Sequence, residues 1–454
     1  MDKKELINTL KTSGNSELRW EAATELSAMD CCDDETIEAF ACGLQDSNPG
    51  VKDICSRLLS EIPDEYKPIA AKFVSPFILQ NLIELRNLAG DILIKIGAPS
   101  IEYMIPFLDN PDYIIRQFAC DVIGRISDSS GLSAVYSLLG DENSNVVNSA
   151  IEAIGNIGDE SSFDVLVSLY GSNEDLKPSI MEAIGKIGSQ ESENFLLEML
   201  KTEDDIFLKT AAIDALAFCA NNILICDDLM NELGATPKEL QPILLKTIYA
   251  IATRNEAEIE LPAELRPVAY NAIREDEKDI VGAGLVSLGY YYYPEDIPAL
   301  IHIVKNNHQG MQMHILTILL AYSDLSTIRS FFEYYFENTE IDENQPEFLS
   351  YIDMVWENVP LEKGNEIIKV FISICFLSDK FNRQILIEIL YRLNPVLVAG
   401  ELSRHLAEGS ECAEDILDMA ASMNLVELRD AIAVLAESNS ALSTKAAEVL
   451  EYLN

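Results

Sequence analysis

The residue types that could carry chemistry are few in this chain and poorly placed for it. His302, His308 and His314 are spaced by six, and His405 is remote. Six residues turn a helical side chain by about 240°, so these histidines cannot share one face. Asn306-Asn307 between them predicts a turn. The nine cysteines include no Cys-x-x-Cys pair. Cys55, Cys120, Cys219 and Cys375 lie among apolar neighbours and read as buried thiols of a reducing compartment, and Cys31-Cys32 as part of a packed turn. Gly155 to Gly158 and Gly185 to Gly188 could be taken for phosphate loops. They recur at one place in successive stretches, which predicts helix C-caps instead. No Gly-Lys-Ser/Thr and no Gly-x-Ser-x-Gly element is present. The expectation is a protein that is not an enzyme, with no catalytic residue, no cofactor and no metal.

Aromatic residues do cluster. Residues 287–356 hold 13 of the 35 aromatics, among them Tyr290-Tyr291-Tyr292-Tyr293, Phe331-Phe332 and Tyr334-Tyr335-Phe336. Helical register places Tyr291 in the core, and Ile328, Phe331 and Tyr335 on an inward stripe. That leaves Tyr290, Tyr292, Tyr293, Tyr334 and Phe336 as candidate partner-binding residues. Two readings fit them: bulky packing where a stack of helices changes curvature, or interface anchors beside acids that steer a basic ligand.

The charge balance narrows the partners. Asp and Glu number 76 against 32 Lys and Arg, a formal net charge of −44. Residues 1–200 hold 34 acids and 14 bases, so the excess is spread along the chain. Such a field repels nucleic acid and anionic membranes and attracts a basic protein or peptide. Solubility of a long molecule is the other reading of the acidity. The amino-terminal Met1-Asp2-Lys3-Lys4-Glu5 opens an amphipathic helix rather than an apolar leader, and no apolar run reaches 18 residues. A cytoplasmic protein without a membrane span is expected.

What positions these residues is an internal repeat. Ile115, Ala119, Val122, Ile123 and Ile126 are apolar or small residues at i, i+4, i+7, i+8 and i+11, one face of a helix. The same template fits from Val146 and from Leu176, and ten copies place their i+4 residue at 22, 55, 89, 119, 150, 180, 212, 244, 284 and 315. The separations are 30 to 34 residues except one of 40. A second helix follows each first one, as in Leu132 to Leu139, Phe163 to Tyr170, Phe195 to Leu200, Ile297 to Val304 and Ile328 to Phe336. The i+4 residue is often small, as at Ala22, Ala89, Ala119, Ala150, Ala212 and Gly284, which lets that second helix approach. Leu442, Ala446, Val449, Leu450 and Leu453 restore the template at the end. Each pair buries its apolar stripe only against its neighbours.

In this pattern the sequence resembles the HEAT-repeat family in its short bacterial and archaeal, phycobilisome-lyase-like form. Ile184-Gly185-Lys186-Ile187-Gly188, Leu288-Gly289 with Pro294-Glu295-Asp296-Ile297-Pro298-Ala299-Leu300, and the turns Asn48-Pro49 and Asn110-Pro111-Asp112 carry the likeness. It implies an all-α fold, a right-handed α-solenoid of stacked antiparallel helix pairs forming an armadillo-like superhelix, with the second helices lining a concave binding face. It implies a protein-binding scaffold or adaptor, as in bacterial regulatory and chemotaxis systems. The alternative is an enzyme or enzyme accessory of the lyase-like class, handling a chromophore or cofactor. Some HEAT-like enzymes hold iron through His-Glu pairs, and this chain has no such dipeptide.

Two irregularities break the array. The 40-residue gap holds an insertion, Thr253 to Pro262, and an acidic segment, Glu337 to Pro346, separates a regular part (1–340) from a degenerate part (341–454). Insertions in repeat arrays fall on loops and binding rims.

Overall fold

The computed structural model describes the whole chain except residues 30–32, 220–222, 307–308, 339–346, 377–379, 409–411, 439 and 454. Cys31-Cys32, Asn307, His308 and most of the acidic segment before Pro346 therefore lie outside the described residues. The described residues contain 28 α-helices, twelve short 3-10 segments and no strand. They form two compact units, Met1–Glu232 and Leu233–Asn454.

The first unit alternates two kinds of helix. Ser16–Ser27, Pro49–Ser60, Ile83–Ile96, Tyr113–Ile126, Ser144–Ile157, Lys177–Ile187 and Ile206–Cys219 are the first helices, and each packs on the next. Shorter second helices such as Asp34–Gly43, Lys67–Val74 and Phe163–Tyr170 return antiparallel between them. In the second unit the same alternation runs from Gln241–Arg254 with Arg266–Ala272 to Ala413–Met423 with Arg429–Ala436, and Ser443–Tyr452 closes it. All ten i+4 positions are buried, from Ala22 to Ile315.

Turn chemistry sets where each first helix starts. Asn48, Asp112 and Asn143 are N-caps whose side chains accept from Gly50, Ile114 and Asn145 N–H. An aspartate two residues before the cap ties the repeats together. Asp141 accepts from Arg116 Nε at 2.7 Å and from Asn143 N–H at 2.8 Å, while Arg116 also donates to the Asn110 carbonyl at 2.8 Å. Arg19 and Asp46 repeat the arrangement. The guanidinium lowers the carboxyl pKa of both Asp46 and Asp141. The basic residue stands at i+1 of the template, and Lys209 there donates to the carbonyl of Leu200, in the last turn of the preceding helix, Gln190–Thr202.

The glycines divide into two roles. Gly158 and Gly188 are left-handed C-caps, with φ 71° and 68°. Gly155 and Gly185, expected as caps too, lie inside their helices at a close approach. A Cβ on Gly155 would meet Ala183 Cα at 2.7 Å, and one on Gly185 would meet the Ala215 carbonyl oxygen at 2.7 Å. Gly124 approaches Ala153 in the same way.

Candidate functional site

The insertion and the tyrosine run come together in the second unit. Helix Gln241–Arg254 ends at Asn255, and Glu256 turns the chain in a left-handed conformation, φ 52°. Residues 257–261 then cross back as a strap. Tyr249 Oη donates to the Ile259 carbonyl at 3.2 Å and pins the strap to the helix. Burial pushes the Tyr249 phenol up to about 12, so it stays a donor. Helix Lys278–Ser287 stops at Leu288, and Gly289, φ 78°, redirects the chain into the tyrosines.

Between strap and tyrosines lies a cleft of about 590 Å³, within the range of ligand sites. Tyr290, Tyr291, Tyr293 and His314 line it with Glu258 and Glu260 of the strap. Most of its wall comes from turns that join first to second helices, rather than from second helices as the resemblance implied.

The placement of the five candidate residues divides. Tyr290 is 61% exposed, sits in the cleft wall, and has its ring centroid 6.4 Å from that of Tyr322. Tyr293 is exposed and lies 5.0 Å from Tyr291. Tyr292 is 0% exposed, which corrects its assignment to a binding surface. Its N–H donates to Ser323 Oγ at 3.1 Å, and Tyr291, expected in the core, is half-buried with its hydroxyl on Asp324 at 2.7 Å. The reason is that the helix ends before Gly289, so helical register cannot be carried to position 291. Tyr334 is exposed on helix Leu325–Asn338 but is not in the cleft wall. Phe336 is half-buried, 6.2 Å from Phe332 and 5.5 Å from Tyr335, in a packed aromatic cluster with Phe331 and Phe348. Phe336 thus packs on that cluster with part of its surface and keeps the rest in solvent.

A buried ionic group holds the tyrosines in place. Asp296 is 0% exposed and accepts from Arg266 Nη2 at 2.6 Å, Arg266 Nε at 3.1 Å, Tyr270 Oη at 2.8 Å and Tyr293 N–H at 2.8 Å. The Arg266 guanidinium also stacks over the Tyr293 ring at 5.0 Å. Arg266, Tyr270 and Asp296 had no signal in the apolar template. A basic residue and an acid each heading a second helix, thirty apart, was the available clue.

Electrostatically the cleft favours a cation. Arg266 is the cationic side chain in its wall, and it is matched by Asp296, which leaves Glu258 and Glu260 in excess. The carboxyl ends of two helices, at Thr253 and at Ser287 to Leu288, add partial negative charge. His314 makes the balance pH-dependent. Burial holds its pKa below the ordinary 6.5, so the ring is neutral at pH 7 and gains a proton on acidification. That proton adds positive charge to the cleft. Affinity for a cationic ligand is expected to hold from pH 7.5 through the ordinary histidine range and to fall below it, and a His314→Gln variant measured by titration calorimetry should lose most of that fall.

The first unit has a smaller cleft, about 410 Å³, across three first helices. Asp91, Asp121 and Glu152 occupy one template position there, and burial, opposed by a hydrogen bond from Ser149, raises the Asp121 pKa. Among the described residues no group of three or more His, Cys, Asp or Glu could hold a metal ion, and no helix is long and apolar enough to cross a membrane.

Residues 101–178 match the model for HEAT repeats. No curated protein matches the chain in sequence. Among solved structures, it is similar to importin beta, 12% identical with a TM-score of 0.46 over 99% of this chain and 77% of that one. It is also similar to the CpcE–CpcF complex of phycocyanin lyase from Nostoc sp. PCC7120, 17% identical with a TM-score of 0.28 over 56% of this chain and 92% of that one. Human deoxyhypusine hydroxylase is 14% identical with a TM-score of 0.27 over 56% and 96%. At these values the likenesses carry no functional argument. The match places HEAT repeats at residues 101–178, and the same stacking of helix pairs on either side of it gives an all-α solenoid fold.

Proposed function

We propose that the chain is a non-catalytic protein-interaction scaffold whose cleft at Tyr290, Tyr291 and Tyr293 docks a basic segment of a partner protein. One observation carries this reading: the cleft brings three tyrosines, two unmatched glutamates and two helix carboxyl ends to one place. Tyrosine supplies contact area at low entropy cost and a ring face for a cation. The net charge of −44 steers a basic partner from a distance. Burial pushes the Cys55 thiol up to about 12 and that of Cys226 to about 11, which fits a cytoplasmic, reducing setting.

The test is calorimetric binding of arginine-rich peptides to the full chain. Affinity should fall about tenfold as salt rises from about 50 to about 500 mM, because exposed carboxylates are screened. Tyr290→Ala should cost about another tenfold without changing the thermal unfolding profile, since that ring is largely in solvent. Binding that ignores both salt and Tyr290 would overturn the assignment of the cleft.

A further inference from the structure

The strap beside the tyrosines has an unpaired backbone. Burial alternates along it: Ala257 and Ile259 are half-buried and Leu261 is buried, while Glu258 and Glu260 are exposed. A period of two belongs to an extended strand, not to a helix. The strap is fixed at both ends. Ala257 N–H donates to the Ala252 carbonyl at 3.0 Å, and Pro262 leads into the 3-10 turn Ala263–Leu265. In its middle, Ile259 offers its carbonyl to Tyr249. Among the described residues, nothing accepts from the N–H groups of Glu258, Ile259, Glu260 or Leu261. A fixed, extended run with open amide groups is a strand edge that lacks a neighbour. All five strap residues line the cleft, so this edge and the tyrosines are one surface.

We infer that the cleft takes its partner as an extended strand whose backbone pairs with Glu258 and Glu260, on the edge opposite the one that Tyr249 holds, and whose alternate side chains are basic. The occupant is a linear segment of another protein. Residues two apart on a strand share a face, so Glu258 and Glu260 present two carboxylates at strand spacing. Lysine or arginine at every second position of the segment meets both. A guanidinium that passes the strap reaches Tyr290 and Tyr291, and the stack of Arg266 on Tyr293 is the same contact made within the chain. Backbone pairing supplies affinity and the alternating side chains supply selectivity. This rests on the cleft being a docking site for a basic segment, and adds the conformation and residue pattern of that segment.

The experiment uses the full chain and blocked synthetic peptides, read by calorimetry at low salt. One peptide alternates arginine and threonine; a second has the same composition with all the arginines first. Two further versions of the alternating peptide carry N-methyl groups on the arginines alone or on the threonines alone. Amide groups of a strand point alternately to its two edges, so one methylated series blocks the paired edge and the other leaves it free. The alternating peptide should bind about tenfold tighter than the blocked-order one, and one methylated series should lose about tenfold while the other loses little. Tyr290→Ala should weaken the alternating peptide, which places it in the cleft. Equal behaviour of the two methylated series, with binding retained, would overturn strand pairing and leave the docking of basic segments standing. Failure of both arginine orders to bind would overturn the docking reading itself.

Discussion

Asp296→Ala is expected to destabilise the Leu233–Asn454 unit by about 3–5 kcal/mol, the cost of leaving one partner of a buried ion pair without the other. The carboxylate is fully buried, and three separate groups donate to it: the Arg266 guanidinium, the Tyr270 hydroxyl and the Tyr293 amide. Without it, Arg266 keeps its charge in a side chain that is only 17% exposed. Burial, and then the hydrogen bond to Asp296, push the Tyr270 phenol up to about 12, so it remains a donor and is left without this acceptor at any working pH. Each neutral donor so stranded adds about 1 kcal/mol. The chain supplies its own reporter: of its two tryptophans, Trp356 belongs to this unit and Trp20 to the other. In a Trp20→Phe background the urea midpoint of Trp356 fluorescence should drop by about 1.5–2.5 M, taking a slope of about 2 kcal/mol/M. A double variant, Asp296→Leu with Arg266→Met, should recover much of the loss, because the cost lies in the unmatched charge rather than in the absence of a salt bridge. A double variant as unstable as the single one would mean that the group stabilises by shape and hydrogen bonding instead. The same carboxylate fixes Tyr293, so the single variant should also weaken binding at the cleft.

What the sequence disclosed follows the reach of local periodicity. Helical spacing located every i+4 residue from Ala22 to Ile315 in the core, because burial within a helix depends on a period that the residues themselves display. The same rule misplaced Tyr291 and Tyr292. It was extended past Gly289, where the chain is no longer helical and inward and outward positions are set by the turn. The insertion at 253–262 and the tyrosine run at 290–293 were each visible as departures from the repeat. That they face one another was not, since it depends on how successive helix pairs stack. The arginine–aspartate ties were in view as well, at Arg19 and Asp46 and at Arg116 and Asp141. An apolar template does not weigh a basic residue at i+1, although its partner sits 25 to 27 residues on, in the turn before the next first helix.

The glycines separate local from tertiary causes most sharply, and they give the second large effect. Gly155→Ala improves helix propensity by about 1 kcal/mol. The added methyl would nevertheless lie 2.7 Å from Ala183 Cα and 3.2 Å from the Ala183 carbonyl oxygen. Those are backbone atoms, which cannot rotate aside, so the two helices must part. Overpacking of this kind costs about 1–3 kcal/mol and outweighs the propensity gain. A single variant should lose about 1–2 kcal/mol. Gly124→Ala and Gly185→Ala spread the next pairs of first helices as well, against Ala153 and Ala215. Because each repeat is stabilised through its neighbours, the triple variant should lose about 4–6 kcal/mol and unfold over a broader range of urea, followed by far-UV circular dichroism. Gly140→Ala is the control with the opposite sign. Its Cβ would meet nothing within 4 Å and its backbone does not need a positive φ, so restricting the unfolded chain should raise stability by up to about 1 kcal/mol. If Gly155→Ala instead stabilised the protein as Gly140→Ala does, the close approach of the first helices would be wrong, and the caps at Gly158 and Gly188 would be the whole use that these stretches make of glycine.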